Sequence, residues 1–224
     1  MHMELLSIDD INPQIARALL KIARKSIEQK LKKEPKVANS DLDDPTLNKY
    51  GMAFVTLETK YGENFELRGC IGYVDAVAPI KETVSKAAIA AAFSDPRFPP
   101  LKQYELDSVV IEITILTKPQ VINVTNRVEI PSKVNVGEDG LIIEKGIMYS
   151  GLLLPQVPME YCWDSETFLA ETCIKAGLEP DCWLDDTVTV KKFQGLIIRE
   201  NIKDNDDIII MKPSDVKCKL TSST

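Results

Sequence analysis

One six-residue stretch brings a thiol, a guanidinium and two glycines together: Leu67-Arg68-Gly69-Cys70-Ile71-Gly72. In a regular strand the side chains alternate between faces, so Arg68, Cys70 and Gly72 would share one. A cation two residues from a thiol favours the thiolate and lowers its pKa, which would make Cys70 a nucleophile or a redox thiol. The competing reading is a small buried hydrophobe, the common fate of free cysteine. Arg68 divides the same way, between binding an anionic group and satisfying carbonyls or a carboxylate within the fold. Two glycines around one cysteine point to a bulge, or to close approach by a ligand or another backbone. Gly72 would leave open space beside the thiol, and a bulge at Gly69 would break the shared face.

Three other residues are chemical candidates. Arg97 lies in Asp95-Pro96-Arg97-Phe98-Pro99-Pro100, a loop stiffened by three prolines. It is either a preorganised anion binder or part of a rigid connector whose Phe98 plugs the core. Glu112 sits among aliphatic residues; buried, its pKa would rise and it could handle protons as a general base or acid. Its alternative is a pairing with an arginine. Gln156, between Pro155 and Val157-Pro158, either binds a polar ligand group or ties down its loop.

The rest of the catalytic repertoire is thin. The single histidine, His2, leaves Ser-His-Asp and Cys-His pairs, and most catalytic zinc sites, without their imidazole. The five cysteines, at 70, 162, 173, 182 and 218, include no Cys-x-x-Cys pair. They read mostly as free thiols, with Cys162 and Cys173 as packing residues. A Cys173–Cys182 bridge becomes plausible only in a hyperthermophile. No metal or organic cofactor is expected. A net charge of −7 and a pI near 4.9 give no footprint for broad nucleic-acid affinity. No apolar run reaches membrane-spanning length and no signal-peptide pattern opens the chain, so a cytoplasmic location is expected.

These groups need elements to hold them. Asn12-Pro13 opens a helix running to about Lys33. Residues 34–49, with the acidic stretch Asp41–Asp44, read as a surface loop. Residues 52–57 and 65–74 form a hairpin, and Pro79 opens an alanine-rich helix that ends at Ser94-Asp95-Pro96. Val109 to Leu116 alternates as a strand, with Glu112 on the face opposite Ile111 and Ile113. After an irregular stretch over 120–138, a second hairpin turns at Lys145-Gly146. Asp164 caps a helix that Gly177 and Pro180 stop, and Thr187 to Arg199 alternates as a strand. Asp204–Asp207 is a polar turn, Ile208–Ile210 a short apolar run, and 213–224 a tail. Strand-strand-helix-strand thus occurs twice, at 52–116 and 141–199, which favours an α+β protein with largely antiparallel sheets in two lobes.

Leu67–Gly72 also resembles the signature of the AMMECR domain family, found in archaea, bacteria and eukaryotes. Gly51 with Phe54-Val55-Thr56-Leu57, Asp95 through Leu101, and Gly151 through Val157 are similar to further family segments. So are Trp163, Phe168-Leu169, Cys173, Lys175-Ala176-Gly177-Leu178 and Trp183. The matches fall in family order over residues 12–200, which is more specific than one short motif. Met52-Ala53 departs from the simpler aliphatic start of the family pattern. The resemblance, to an archaeal-type member, implies one domain over 1–224, built of two unequal α+β subdomains. The larger would hold both termini, and the signature would face a cleft between them. It implies no particular reaction. Association with Memo-like and radical SAM proteins implies a shared modification or redox pathway.

Three functions follow as expectations. The first is a binding module for a small molecule or protein segment, with Leu67, Arg68, Gly69, Ile71, Gly72, Arg97 and Gln156 shaping the site. The second is an enzyme using Cys70 as nucleophile or redox thiol, with Glu112 handling protons. The third, nucleic-acid binding, would rest on Arg68, Arg97, Phe98 and Tyr73.

Overall fold

The structure, a computed structural model, describes residues 4–34, 44–62, 64–201 and 207–219. His2, residues 35–43 of the predicted surface loop with Asp41 and Asp43, and the polar residues 204–206 lie outside them. The chain divides into two compact units. Unit 1 comprises Met1–Leu116 and Leu196–Ile210, and unit 2 comprises Thr117–Gly195 and Met211–Thr224.

Unit 1 opens with helix α1 (Pro13–Lys32), which starts where Asn12 Oδ1 accepts the Ile15 N–H at 3.0 Å. It ends at Lys33, whose left-handed φ of 58° closes the last turn. Strands β1 (Met52–Tyr61), β2 (Asn64–Tyr73) and β3 (Val109–Leu116) pair antiparallel, with β1 in the middle. Helix α2 (Ile80–Phe93) lies between β2 and β3 in the chain. The last residues of β7 (Thr189–Glu200) continue the sheet beside β3, and β8 (Ile208–Met211) pairs with β7. Ile15, Leu19, Ile27, Val55, Leu57, Ile111 and Ile113 are fully buried in one core with the α2 alanines. Each such large side chain contributes about 1.5–3 kcal/mol through removal from water. The small alanines allow a close helix–sheet approach: a Cβ on Gly69 would sit 2.1 Å from the Ala91 carbonyl oxygen.

Unit 2 has its own core. Strand β4 (Gln120–Val121), strand β5 (Asp139–Lys145) and the first half of β7 pair antiparallel, and β6 (Tyr149–Leu153) pairs with β5. A short helix α3 (Val157–Tyr161) precedes α4 (Ser165–Lys175). Asp164 caps α4 by accepting the Thr167 N–H at 2.8 Å. Phe168, Leu169 and Cys173 pack against Leu141, Ile143 and Val190. The stretch read as irregular holds β4 and a 3-10 turn, Arg127–Lys133. The fold class is α+β with mainly antiparallel pairing, as expected.

Two expectations change here. Four of the five cysteines are paired: Cys173 with Cys182, and Cys162 with Cys218. The first pair meets because Gly177, with φ 78°, follows the end of α4 and the chain turns back, leaving the Cα atoms 5.8 Å apart. The segment read as a tail is also tied down as far as it is described. Pro213–Asp215 forms a 3-10 turn, Cys218 is bonded to Cys162, and Lys219 Nζ meets Glu160 at 2.6 Å. The described C-terminal stretch from Met211 therefore belongs to unit 2.

Candidate functional site

The signature segment lies on β2, and its geometry departs from a regular strand. Thr56 pairs with Cys70 and Leu57 with Gly69, but Glu58 pairs with Leu67. Arg68 is the extra residue, so the strand bulges there. Leu57 belongs to the core and Gly69 abuts Ala91, which places the α2 side of the sheet at Gly69. Arg68 turns to that side. Its Nε donates to Glu105 at 2.8 Å and its Nη2 donates to the Pro99 carbonyl at 2.9 Å. In return the Arg68 guanidinium holds the Glu105 carboxyl below the usual range. Cys70 points to the opposite face with its partner Thr56, whose Oγ1 lies 3.4 Å from Sγ. The expected shared face of Arg68 and Cys70 is thereby corrected: the bulge separates them.

The two glycines serve packing. Gly69 admits α2, and a Cβ on Gly72 would lie 2.3 Å from the Phe54 ring. The space expected beside Cys70 is filled by that ring. Ile71 packs partly against the unit 1 core, while Leu67 is exposed.

The proline loop closes on Cys70. Asp95, 4% exposed, accepts the Cys70 N–H at 2.9 Å. Arg97 donates through Nε and Nη2 to the same carboxylate, at 3.0 and 2.7 Å. Arg97 also lies 3.5 Å from the Cys70 carbonyl oxygen. These hydrogen bonds hold Asp95 far below the usual carboxylate range and raise Arg97. Two guanidinium groups approach the Phe98 ring, Arg97 at 5.5 Å and Arg68 at 5.9 Å from its centroid.

Glu112 of β3, the direct cross-strand partner of Thr56 on β1, takes Arg199 Nη1 at 2.9 Å. The same guanidinium binds Glu58 and lies 4.8 Å from the Phe65 ring centroid. Glu112 thus meets an arginine, as one of its two readings held. Burial, the largest influence on Cys70, pushes its thiol pKa up; Thr56 and Arg97 oppose this, and Glu112 and Asp95 reinforce it. The depressed pKa expected from Arg68 is overturned, because the cation has turned away and the thiol is poorly solvated.

Gln156 belongs to unit 2, buried at the start of α3. Thr56, Glu58, Asp95, Glu105 and Arg199 join the picture as partners that site reasoning had not singled out. The polar alternation of Thr56 and Glu58 along β1 was a usable signal. Arg199 depends on pairing between strands far apart in sequence. No cluster of His, Cys, Asp or Glu among the described residues could hold a metal ion. No helix among them is long and apolar enough to cross a membrane.

An α+β fold with this bulged Arg-Gly-Cys strand defines a recognisable class. The chain belongs to the AMMECR1 family, whose model matches residues 20–198. A protein from Sulfolobus acidocaldarius is 63% identical over 219 residues, covering 96% of this chain and 95% of that one. One from Sulfurisphaera tokodaii is 64% identical with the same coverage. The crystal structure of an uncharacterized protein from Pyrococcus horikoshii is similar at a TM-score of 0.83 and 45% identity, covering 90% of this chain and 98% of that one. The relatives come from thermophilic archaea and carry no assigned activity.

Proposed function

We propose that this protein is a binding module, and that the sheet face around Cys70 in unit 1 receives a ligand or a protein segment. The observation that carries this reading is that each charged group beside Cys70 among the described residues is already engaged by another protein group, and burial pushes the thiol pKa up. Arg97 is engaged by Asp95, and Glu112 by Arg199. A thiol nucleophile needs a base or an uncommitted cation beside it. Further along β2 stand the exposed Leu67 and Phe65, which offer apolar contact area, and Thr56, Glu112 and Arg199 form a polar row. Memo-like and radical SAM proteins are the candidate partners that the family resemblance supplies. The enzyme reading keeps one supporting observation: Cys70 is the free cysteine of the described chain.

The test is native mass spectrometry of material that co-purifies with wild type, Cys70→Ser and Leu67→Glu proteins. The binding reading expects capture to survive Cys70→Ser and to fail in Leu67→Glu. A covalent adduct on Cys70, or capture lost only in Cys70→Ser, would contradict it.

A further inference from the structure

Helix α1 is strongly basic within an acidic chain. It carries six Lys or Arg against the single acid Glu28, a net +5 in a protein of net −7. Arg17, Lys21 and Arg24 fall at i, i+4 and i+7, so they share one face. That face lines a cavity of about 840 Å³, built wholly within unit 1. The volume lies in the range of small-molecule sites, roughly 300–1,000 Å³. Leu20, Leu106, Val109 and Val110 supply apolar wall, and Lys60 adds a cation from the end of β1.

The charges divide into spent and available. Arg24 is spent: it binds Glu200 and donates to the carbonyls of Leu106, at 3.0 Å, and Val109, at 2.8 Å. Arg17, Lys21 and Lys60 make no hydrogen bond or ion pair among the described residues. Of the lining acids, Glu200 is taken by Arg24 and the Ile111 N–H, and Asp207 accepts the Ile208 N–H at 2.9 Å. Glu28 and Asp107 remain, so among the described lining residues the uncommitted cations outnumber the uncommitted acids. Two like charges at i, i+4 on a helix repel each other. An anion between Arg17 and Lys21 would remove that cost and gain charge-assisted hydrogen bonds.

We propose that this groove binds a small organic anion. Its phosphate, sulfonate or carboxylate group is held by Arg17, Lys21 and Lys60. Its apolar body lies against Leu20, Leu106 and the start of β3. Glu28 and Asp107 accept hydroxyl or amine donors from the same molecule. The described lining does not include Cys70 or the polar row beside it, and the proposal does not depend on the function proposed for that face.

The probe is 8-anilinonaphthalene-1-sulfonate, an aromatic sulfonate, titrated by fluorescence at low ionic strength. Phenyl phosphate and inorganic phosphate serve as competitors. One saturable site is expected, displaced by phenyl phosphate at lower concentration than by inorganic phosphate, which lacks the apolar body. Lys21→Glu, at an exposed position, should weaken binding about tenfold or more, the scale of a lost charge-assisted contact. Lys30→Glu makes the same charge change on α1 outside the groove and should leave affinity within about twofold. Equal loss in both variants would overturn the proposal in favour of a diffuse polyanion surface. Binding unaffected by Lys21→Glu, or no saturable site, would overturn it as well.

Discussion

Asp95 holds the Cys70 segment in place. One buried carboxylate accepts the Cys70 N–H, the Arg97 N–H and the Arg97 guanidinium. Asp95→Ala leaves the Cys70 N–H without its partner and should lower stability by about 1–3 kcal/mol, read from denaturant midpoints. Its pKa is depressed by folding, so the stabilisation is fully present above the unfolded value of about 4. It is lost as pH falls below that value toward the folded pKa. Wild type should therefore lose more stability than Asp95→Ala on acidification below about pH 4; equal acid sensitivity would count against this role. At this scale the residue types were legible and their directions were not. Cys70 and Glu112 stood out from their neighbours in the sequence. The turn of Arg68 toward Glu105 follows from a one-residue register slip that strand alternation does not encode.

The elements themselves were largely readable. β3 begins and ends where the Val109–Leu116 alternation placed it, and the Asn12 and Asp164 caps start the helices they were expected to start. The disulfides were harder, because each depends on where a turn returns the chain. Their surroundings differ: Cys173 and Cys182 are buried, whereas Cys162 is exposed at the end of α3. Accessible disulfides are the ones that exchange with solvent thiols. Under stepwise dithiothreitol with alkylation and mass spectrometry, Cys162–Cys218 should open first and Cys173–Cys182 last. The reverse order would contradict this assignment. Cys162–Cys218 closes a loop of 56 residues, for which chain entropy gives about 4 kcal/mol of stabilisation. Bridges of this kind suit relatives from thermophilic archaea.

At the scale of the whole chain, each unit buries its own apolar residues, and β7 carries the backbone from unit 2 into unit 1. Ile111→Ala should cost about 2–5 kcal/mol and Phe168→Ala about 3–5. In hydrogen exchange, the first should lower protection earliest in α1 and β1–β3, the second in α4 and β5. Uniform loss of protection in both variants would show that the two cores do not open separately. The scarcity of histidine, legible from the start, had narrowed the chemistry to one thiol and a few carboxylates. The structure gives that thiol packing neighbours and engages the carboxylates elsewhere. Cys70 held as a thiol in a binding face has a direct readout in the pH dependence of its alkylation by iodoacetamide. Cys70 is the unpaired cysteine of the described chain, so the oxidised wild-type protein serves without substitutions. Slow reaction is expected, with a midpoint above that of free cysteine, about 8.5. Rapid alkylation with a midpoint at or below about 7.5 would establish a thiolate and contradict it.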